Sequence, residues 1–228
     1  MDHFRTIYRT RADDYDTLVA REDFQGNLPQ ALAKIRPWAG LDVVELGAGT
    51  GRLTRLLAPA AASVVALDAA PAMLRVAHLG LGHSRHVAFA AADNAALPLR
   101  DAVADLAVAG WSLGHSVAWY PDAWRDVIGA ALAEMRRVLR PGGMVIILET
   151  LGTGRETPAP PTDGLAAYYQ WLEEAHGFQR AWLRTDYRFA SLDEAERLTR
   201  FFFGDDLADR VRREGLTTLP ECTGLWWA

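Results

Sequence analysis

Apolar and polar positions alternate along the chain in two rhythms. Between residues 3 and 20, Phe4, Ile7, Tyr8, Tyr15, Leu18 and Val19 recur at helical intervals and predict one amphipathic helix. A second helix is expected from Leu28 to Ile35, ending before Pro37. Short apolar runs of strand length follow: Val43 to Leu46, Ser63 to Asp68, Val87 to Asp93, Asp105 to Gly110 and Met144 to Leu148. Helical spacing returns between them, from Arg52 to Leu57, after Pro71, and over Trp124, Val127, Ile128, Ala131, Leu132, Met135, Val138 and Leu139. Strands that alternate with helices predict an α/β fold with a doubly wound sheet.

Beyond Glu149 the rhythm loosens. Glycines and prolines between Thr150 and Pro161 predict a loop. Leu165 to Ala175 reads as a helix, Arg180 to Ala190 as a strand, and Ala195, Leu198, Phe201 and Phe202 as helical. A further helical piece from Asp205 to Glu214 and a final strand within Thr217 to Trp227 complete the pattern. Ser191-Leu192-Asp193-Glu194 resembles a capping box with its carboxylate out of the usual place.

Chemistry concentrates at Val43-Val44-Glu45-Leu46-Gly47-Ala48-Gly49-Thr50-Gly51-Arg52, a strand, a glycine turn and the start of a helix. Such a turn leaves helix N-terminal N–H groups free for a polar or anionic ligand. A dinucleotide fingerprint needs its third glycine at position 52, where Arg52 stands. The spacing Gly47-x-Gly49-x-Gly51 after Glu45 instead resembles motif I of the class I S-adenosylmethionine (SAM)-dependent methyltransferases. Three later blocks strengthen the resemblance. Asp68-Ala69-Ala70-Pro71-Ala72-Met73-Leu74 is similar to the family's D-x-S-x-x-M-L, with Ala70 in place of the usual serine. Asp93-Asn94 followed by Leu97-Pro98-Leu99 resembles D-A-x-x-L-P-F, and Glu134 to Gly143 resembles E-x-x-R-V-L-K-P-G-G. These blocks cover residues 40 to 150.

The resemblance implies a Rossmann-like, seven-stranded sheet with helices on both faces and an N-terminal helical lid. It implies SAM as cofactor, with S-adenosylhomocysteine as product and no metal. Glu45, Gly47, Ala48, Gly49 and Gly51 would form the cofactor turn. Asp68 would hold the ribose diol, because a carboxylate accepts two hydroxyl protons. Met73, Asp93 and Asn94 would surround the adenine, and Ala69 would also touch the cofactor. Tyr15, and alternatively Tyr8, would meet the methionine end, and Trp111 would wall the cofactor or substrate. His115, after the fourth strand, is the first candidate for a general base; Asp186 and Tyr187 are second choices. Glu134 to Gly143 is expected to mark the fold and touch no ligand.

The 228 residues, half of them hydrophobic, suit one domain: a cap over 1–38, a core over 40–150 and substrate-side elements over 151–228. Net charge is −5 with the two signs interspersed, which argues against nucleic acid as the main partner. Gly110-Trp111-Ser112-Leu113 stands where many adenine N-methyltransferases carry an asparagine–proline tetrad. No apolar run reaches the roughly 18 residues of a membrane span, and Met1 to Arg5 has no signal-peptide character. Cys222 is the lone cysteine, so neither an internal disulfide nor a thiolate cluster for zinc can form. A cytoplasmic enzyme methylating a small organic acceptor is the resulting expectation. The same cofactor site would also suit a non-methylating SAM enzyme or a non-catalytic SAM-binding subunit.

Overall fold

The computed structural model describes residues 3–81 and 84–228. The opening Met1 and Asp2, read above for signal character, lie outside the described residues. The N-terminal cap is α1 (His3–Thr10), α2 (Ala12–Val19) and α3 (Asn27–Ile35). The single helix expected over 3–20 is therefore two, broken at Arg11, whose φ of −130° and ψ of 34° are not helical. The sequence rhythm misses this because α1 and α2 each keep an apolar face toward the rest of the protein.

The core alternates β1 (Asp42–Leu46), α4 (Arg52–Leu57), β2 (Ser63–Asp68), α5 (Pro71–Leu81), β3 (Val87–Ala91), β4 (Ala104–Gly110), α6 (His115–Trp119), α7 (Trp124–Val138) and β5 (Leu139–Thr153). The last part holds α8 (Asp163–His176), β6 (Gln179–Arg184), β7 (Tyr187–Arg188), α9 (Leu192–Phe203), α10 (Asp205–Glu214), β8 (Thr218–Leu219) and β9 (Glu221–Trp227). One seven-stranded sheet runs β3-β2-β1-β4-β5-β9-β6. The first five strands are mutually parallel, and β9 is antiparallel to both β5 and β6.

The period of two decides which side chains go to which face. Val44, Leu46, Ala107, Ala109, Val145 and Ile147 face one cluster, with Ile128, Leu132 and Met135 of α7 and Tyr168 and Leu172 of α8. Val43, Leu106, Val108, Ile146 and Leu148 face the other, with Leu28 and Leu32 of α3 and Leu53 and Leu57 of α4. Burying these central strands on both faces is what makes them continuous apolar runs in the sequence.

The strand expected over Arg180 to Ala190 divides after Arg184. Thr185 N–H donates to the Glu221 carbonyl, and β7 leaves the main sheet to form a two-stranded ribbon with β8. Between the ribbon strands α9 and α10 fold back on each other. They share a small core of Tyr187, Phe189, Ala195, Leu198, Val211 and Leu219 with Leu18 of α2. At the start of α9, Glu194 stands at the capping-box position after all. The Ser191 hydroxyl accepts from Glu194 N–H at 3.1 Å, and the Glu194 carboxylate accepts from Ala190 N–H at 2.6 Å. Glu134 and Arg137 of α7 bind the loop after β3 by its backbone: Leu97 N–H to Glu134 at 2.7 Å, and Arg137 to the Leu97 and Leu99 carbonyls at 3.2 and 2.8 Å. No described helix is long and apolar enough to cross a membrane.

Candidate active site

Because β1 to β5 are parallel, the loops after them open on one edge of the sheet, where ligands of doubly wound folds bind. The glycine turn after β1 lies at its centre. Gly47 and Gly49 have φ of +63° and +55°, values that disfavour any side chain. Their surroundings differ. A Cβ on Gly47 would overlap the Ser112 side chain, whereas one on Gly49 would meet only Met73 Cε at 3.5 Å and Tyr15 Cε1 at 3.9 Å. Gly47 is thus required by the neighbouring loop, and Gly49 leaves room beside it.

Asp68, at the end of β2, turns its carboxylate back to this turn. It accepts from Gly49 N–H at 2.8 Å and from Ala70 N–H at 2.7 Å. Burial pushes its pKa up, and those two bonds oppose the shift. Ala69, between the bonded residues, is exposed. Ala48 N–H donates to the Leu67 carbonyl at 2.9 Å, and Gly51 N–H to the Ala48 carbonyl at 2.9 Å, so the turn is braced from both sides. Glu45 lies beneath it, 2 % exposed, and accepts from the Thr54 hydroxyl at 2.6 Å. Burial raises the Glu45 pKa to about 8. Its geometry supports the first turn of α4.

After β3, Asp93 is exposed and accepts from Ala95 N–H at 2.9 Å, closing its own turn. The Asn94 amide donates to the Ser112 hydroxyl at 3.2 Å, so the loops after β1, β3 and β4 meet at Ser112. Met73 is 2 % exposed and packs with Ala12, Val76, Tyr8 and Tyr15, joining α5 to the cap. Tyr15 has its pKa pushed up to about 12, first by burial. Trp111 adopts a φ of +50°, and the Arg52 guanidinium lies 3.5 Å from its ring centroid. Such a φ for a bulky residue is uncommon and recurs at functional sites.

His115 begins α6. Its Nε2 is 2.8 Å from the Tyr8 hydroxyl, and its ring stacks on Trp119 at 5.0 Å. The two second-choice bases lie in structural bonding. Asp186 accepts from Arg184 at 2.7 and 2.9 Å and from Glu221 N–H at 3.0 Å, and Tyr187 is buried and stacked on Phe189 at 6.0 Å.

Several polar groups at this edge escape sequence reasoning. Arg52, which breaks the dinucleotide fingerprint, pairs with Glu22 at 2.7 Å. Glu22 also accepts from the Thr185 hydroxyl at 3.0 Å. Glu149, at the edge end of β5, accepts from Gly114 N–H at 2.8 Å and holds the start of α6. Burial pushes the pKa of Glu149 and of Glu221 up to about 8. A carboxylate ending an apolar strand was a usable signal for Glu149. The partners of Arg52 lie too far off in sequence to be read.

The residues at this edge fit a nucleoside-type cofactor with a ribose diol. The Asp68 carboxylate has acceptor capacity beyond its two N–H bonds. The Thr50 hydroxyl, inside the turn, is buried without a hydrogen-bond partner. Gly49 faces room bounded by a thioether and a phenol, with no backbone against it.

A family model described as a methyltransferase domain matches residues 44–147. A malonyl-[acyl-carrier protein] O-methyltransferase of Pseudescherichia vulneris is 40% identical over 143 residues, covering 63% of this chain and 51% of that protein. A demethylmenaquinone methyltransferase of Clavibacter sepedonicus is 34% identical over 117 residues, covering 50% of this chain and 43% of that protein. The chain thus spans about half the length of these curated relatives. Among solved structures, the YcgJ protein of Bacillus subtilis aligns with a TM-score of 0.60 over 87% of this chain and 96% of its own, at 14% identity, a likeness of fold.

Proposed function

We propose that this chain is a class I SAM-dependent methyltransferase and that it transfers a methyl group from SAM to a small organic acceptor by in-line displacement. The observation that carries the reading is the Asp68 carboxylate bonded to Gly49 N–H at 2.8 Å. It brings a diol-binding acid to the glycine turn, at the edge where the loops after β3 and β4 also meet.

In this reading Gly47, Ala48, Gly49 and Gly51 shape the turn and Asp68 takes the ribose hydroxyls. Met73 and Ala69 flank the adenine, with Asp93 and Asn94 at its edge. Tyr15 and Trp111 bound the methionine end. Glu45 contributes from below through Thr54. SAM supplies a methyl group on a sulfonium, which leaves as the neutral thioether of S-adenosylhomocysteine. The protein's part is to align donor and acceptor and to exclude water. The α1–α2 cap, held over the turn by Tyr8, Tyr15 and Met73, serves that exclusion. His115 is the proposed proton acceptor where the acceptor must lose a proton.

The two named relatives act on different acceptors, so likeness to them does not choose one for this chain. A screen of candidate acceptors with isotopically labelled SAM and mass detection tests the reading. A product carrying the label supports it. Binding of S-adenosylhomocysteine without label transfer to any acceptor would favour a non-methylating role on the same site.

A further inference from the structure

Four separated segments of the chain close a circuit of five aromatic rings: Phe4 and Tyr8 of α1, Tyr15 of α2, His115 of α6 and Phe202 of α9. Neighbouring centroids lie 5.2 Å apart for Phe4–His115, 5.5 Å for His115–Tyr8, 5.5 Å for Tyr8–Tyr15, 5.4 Å for Tyr15–Phe202 and 5.2 Å for Phe202–Phe4. Interplanar angles run from 51° to 85°, so the rings meet tilted or edge to face, the favourable arrangement for aromatic quadrupoles. All five residues are half-buried. Each of the five residues therefore keeps part of its surface exposed. Through Tyr15, whose Cε1 lies 3.9 Å from the position of a Gly49 Cβ, the circuit adjoins the turn.

We propose that this circuit is the acceptor site of the methyltransferase proposed above, and that it takes a planar aromatic acceptor bearing a hydroxyl group. The inference rests on that reading of the glycine turn. An aromatic ring can replace ring-to-ring contacts within the circuit by contacts of the same kind. A hydroxyl has a partner waiting: Tyr8 already makes a phenol–imidazole bond of 2.8 Å to His115 Nε2. An acceptor hydroxyl taking that place gives its proton to Nε2. Its oxygen forms the new O–C bond as the S–C bond breaks, so imidazolium appears as the sulfonium charge disappears.

The test uses the full chain loaded with S-adenosylhomocysteine and titrated with 4-nitrophenol, cyclohexanol or tetramethylammonium, by calorimetry and phenolate absorbance. The circuit predicts that 4-nitrophenol binds about ten-fold or more tightly than either control, and that its phenolate absorbance rises on binding. Phe202→Leu removes one ring and should weaken 4-nitrophenol roughly three- to ten-fold, with S-adenosylhomocysteine affinity within about three-fold of the parent. His115→Ala should abolish the phenolate rise. No binding of 4-nitrophenol, equal affinity for cyclohexanol, preference for tetramethylammonium, or indifference to Phe202→Leu in a variant that still binds S-adenosylhomocysteine would each overturn the proposal. If S-adenosylhomocysteine itself does not bind, the methyltransferase reading falls. Titration of the unloaded chain with 4-nitrophenol then still decides whether the rings form a site.

Discussion

Gly47→Ala and Gly49→Ala add the same methyl group two residues apart, and the structure predicts different consequences. Both residues sit at positive φ, +63° and +55°, which costs an L-residue roughly 1–2 kcal/mol. At Gly49 that strain is nearly the whole structural effect, since the new Cβ meets Met73 Cε at 3.5 Å and Tyr15 Cε1 at 3.9 Å, ordinary contacts. At Gly47 the Cβ overlaps Ser112, whose backbone Cα is only 3.8 Å away, and overpacking adds roughly 1–3 kcal/mol. For a chain of this size roughly 2–4 °C of melting temperature accompanies each kcal/mol. Gly49→Ala should therefore melt lower by roughly 2–8 °C and Gly47→Ala by roughly 4–20 °C. Ser112→Gly should restore part of the stability lost in Gly47→Ala and none of that lost in Gly49→Ala. Binding should rank the other way. Calorimetry with S-adenosylhomocysteine should show Gly49→Ala, though better folded, losing affinity by about ten-fold or more, because its methyl group enters the space proposed for the cofactor. A folded Gly49→Ala protein with unchanged affinity would refute the assignment of that space. A Gly47→Ala protein not rescued by Ser112→Gly would refute the close-approach explanation.

Other tests follow from single contacts. Asp68→Ala removes an acceptor shared by two backbone N–H groups and the proposed ribose. Calorimetry should show S-adenosylhomocysteine binding weakened by about 1.5–3 kcal/mol in a folded protein, and unchanged binding would place the ribose elsewhere. His115→Ala should leave S-adenosylhomocysteine affinity nearly unchanged while turnover on an identified hydroxyl acceptor falls roughly 10²–10⁴-fold; near-normal turnover would exclude the base role. Glu149 is held protonated by burial, with its pKa pushed up to about 8. A carboxyl raised in the folded state contributes stability that is full below its unfolded pKa and lost as pH rises through the folded one. Urea midpoints of Glu149→Gln relative to the parent should thus improve from about pH 5 to about pH 8 and level off above it, and a pH-independent difference would contradict the assignment.

How much of this was legible in the sequence depends on how local each feature is. β1, β2 and β4 are buried on both faces, so their apolar runs stood out, and the glycines and terminal acids named their loops. The order of blocks from Glu45 to Gly143 carried the family resemblance for the same reason: each block is contiguous. The break at Arg11 was hidden because α1 and α2 continue one apolar rhythm across it. The β7–β8 ribbon was hidden because Tyr187 and Phe189 read as a continuation of β6, although they pack in the separate core beneath α9 and α10. The pairing of Arg52 with Glu22 and Trp111, and the circuit linking Phe4 to His115 and Phe202, join distant segments. No periodicity reports such contacts. The sequence named Tyr8, Tyr15 and His115 separately, and only the fold shows them touching.

The central claim is that the edge built by the Gly47–Gly51 turn and Asp68 holds SAM. Thermal unfolding with SAM, S-adenosylhomocysteine or NAD at equal concentration tests it most directly, because a ligand that binds only the folded chain raises the melting temperature, by about 2.7 kcal/mol of stabilisation at a hundred times its dissociation constant. The account predicts a rise with SAM and with S-adenosylhomocysteine, none with NAD, and a smaller rise in Gly49→Ala. A rise with NAD and none with either sulfur nucleoside would contradict it.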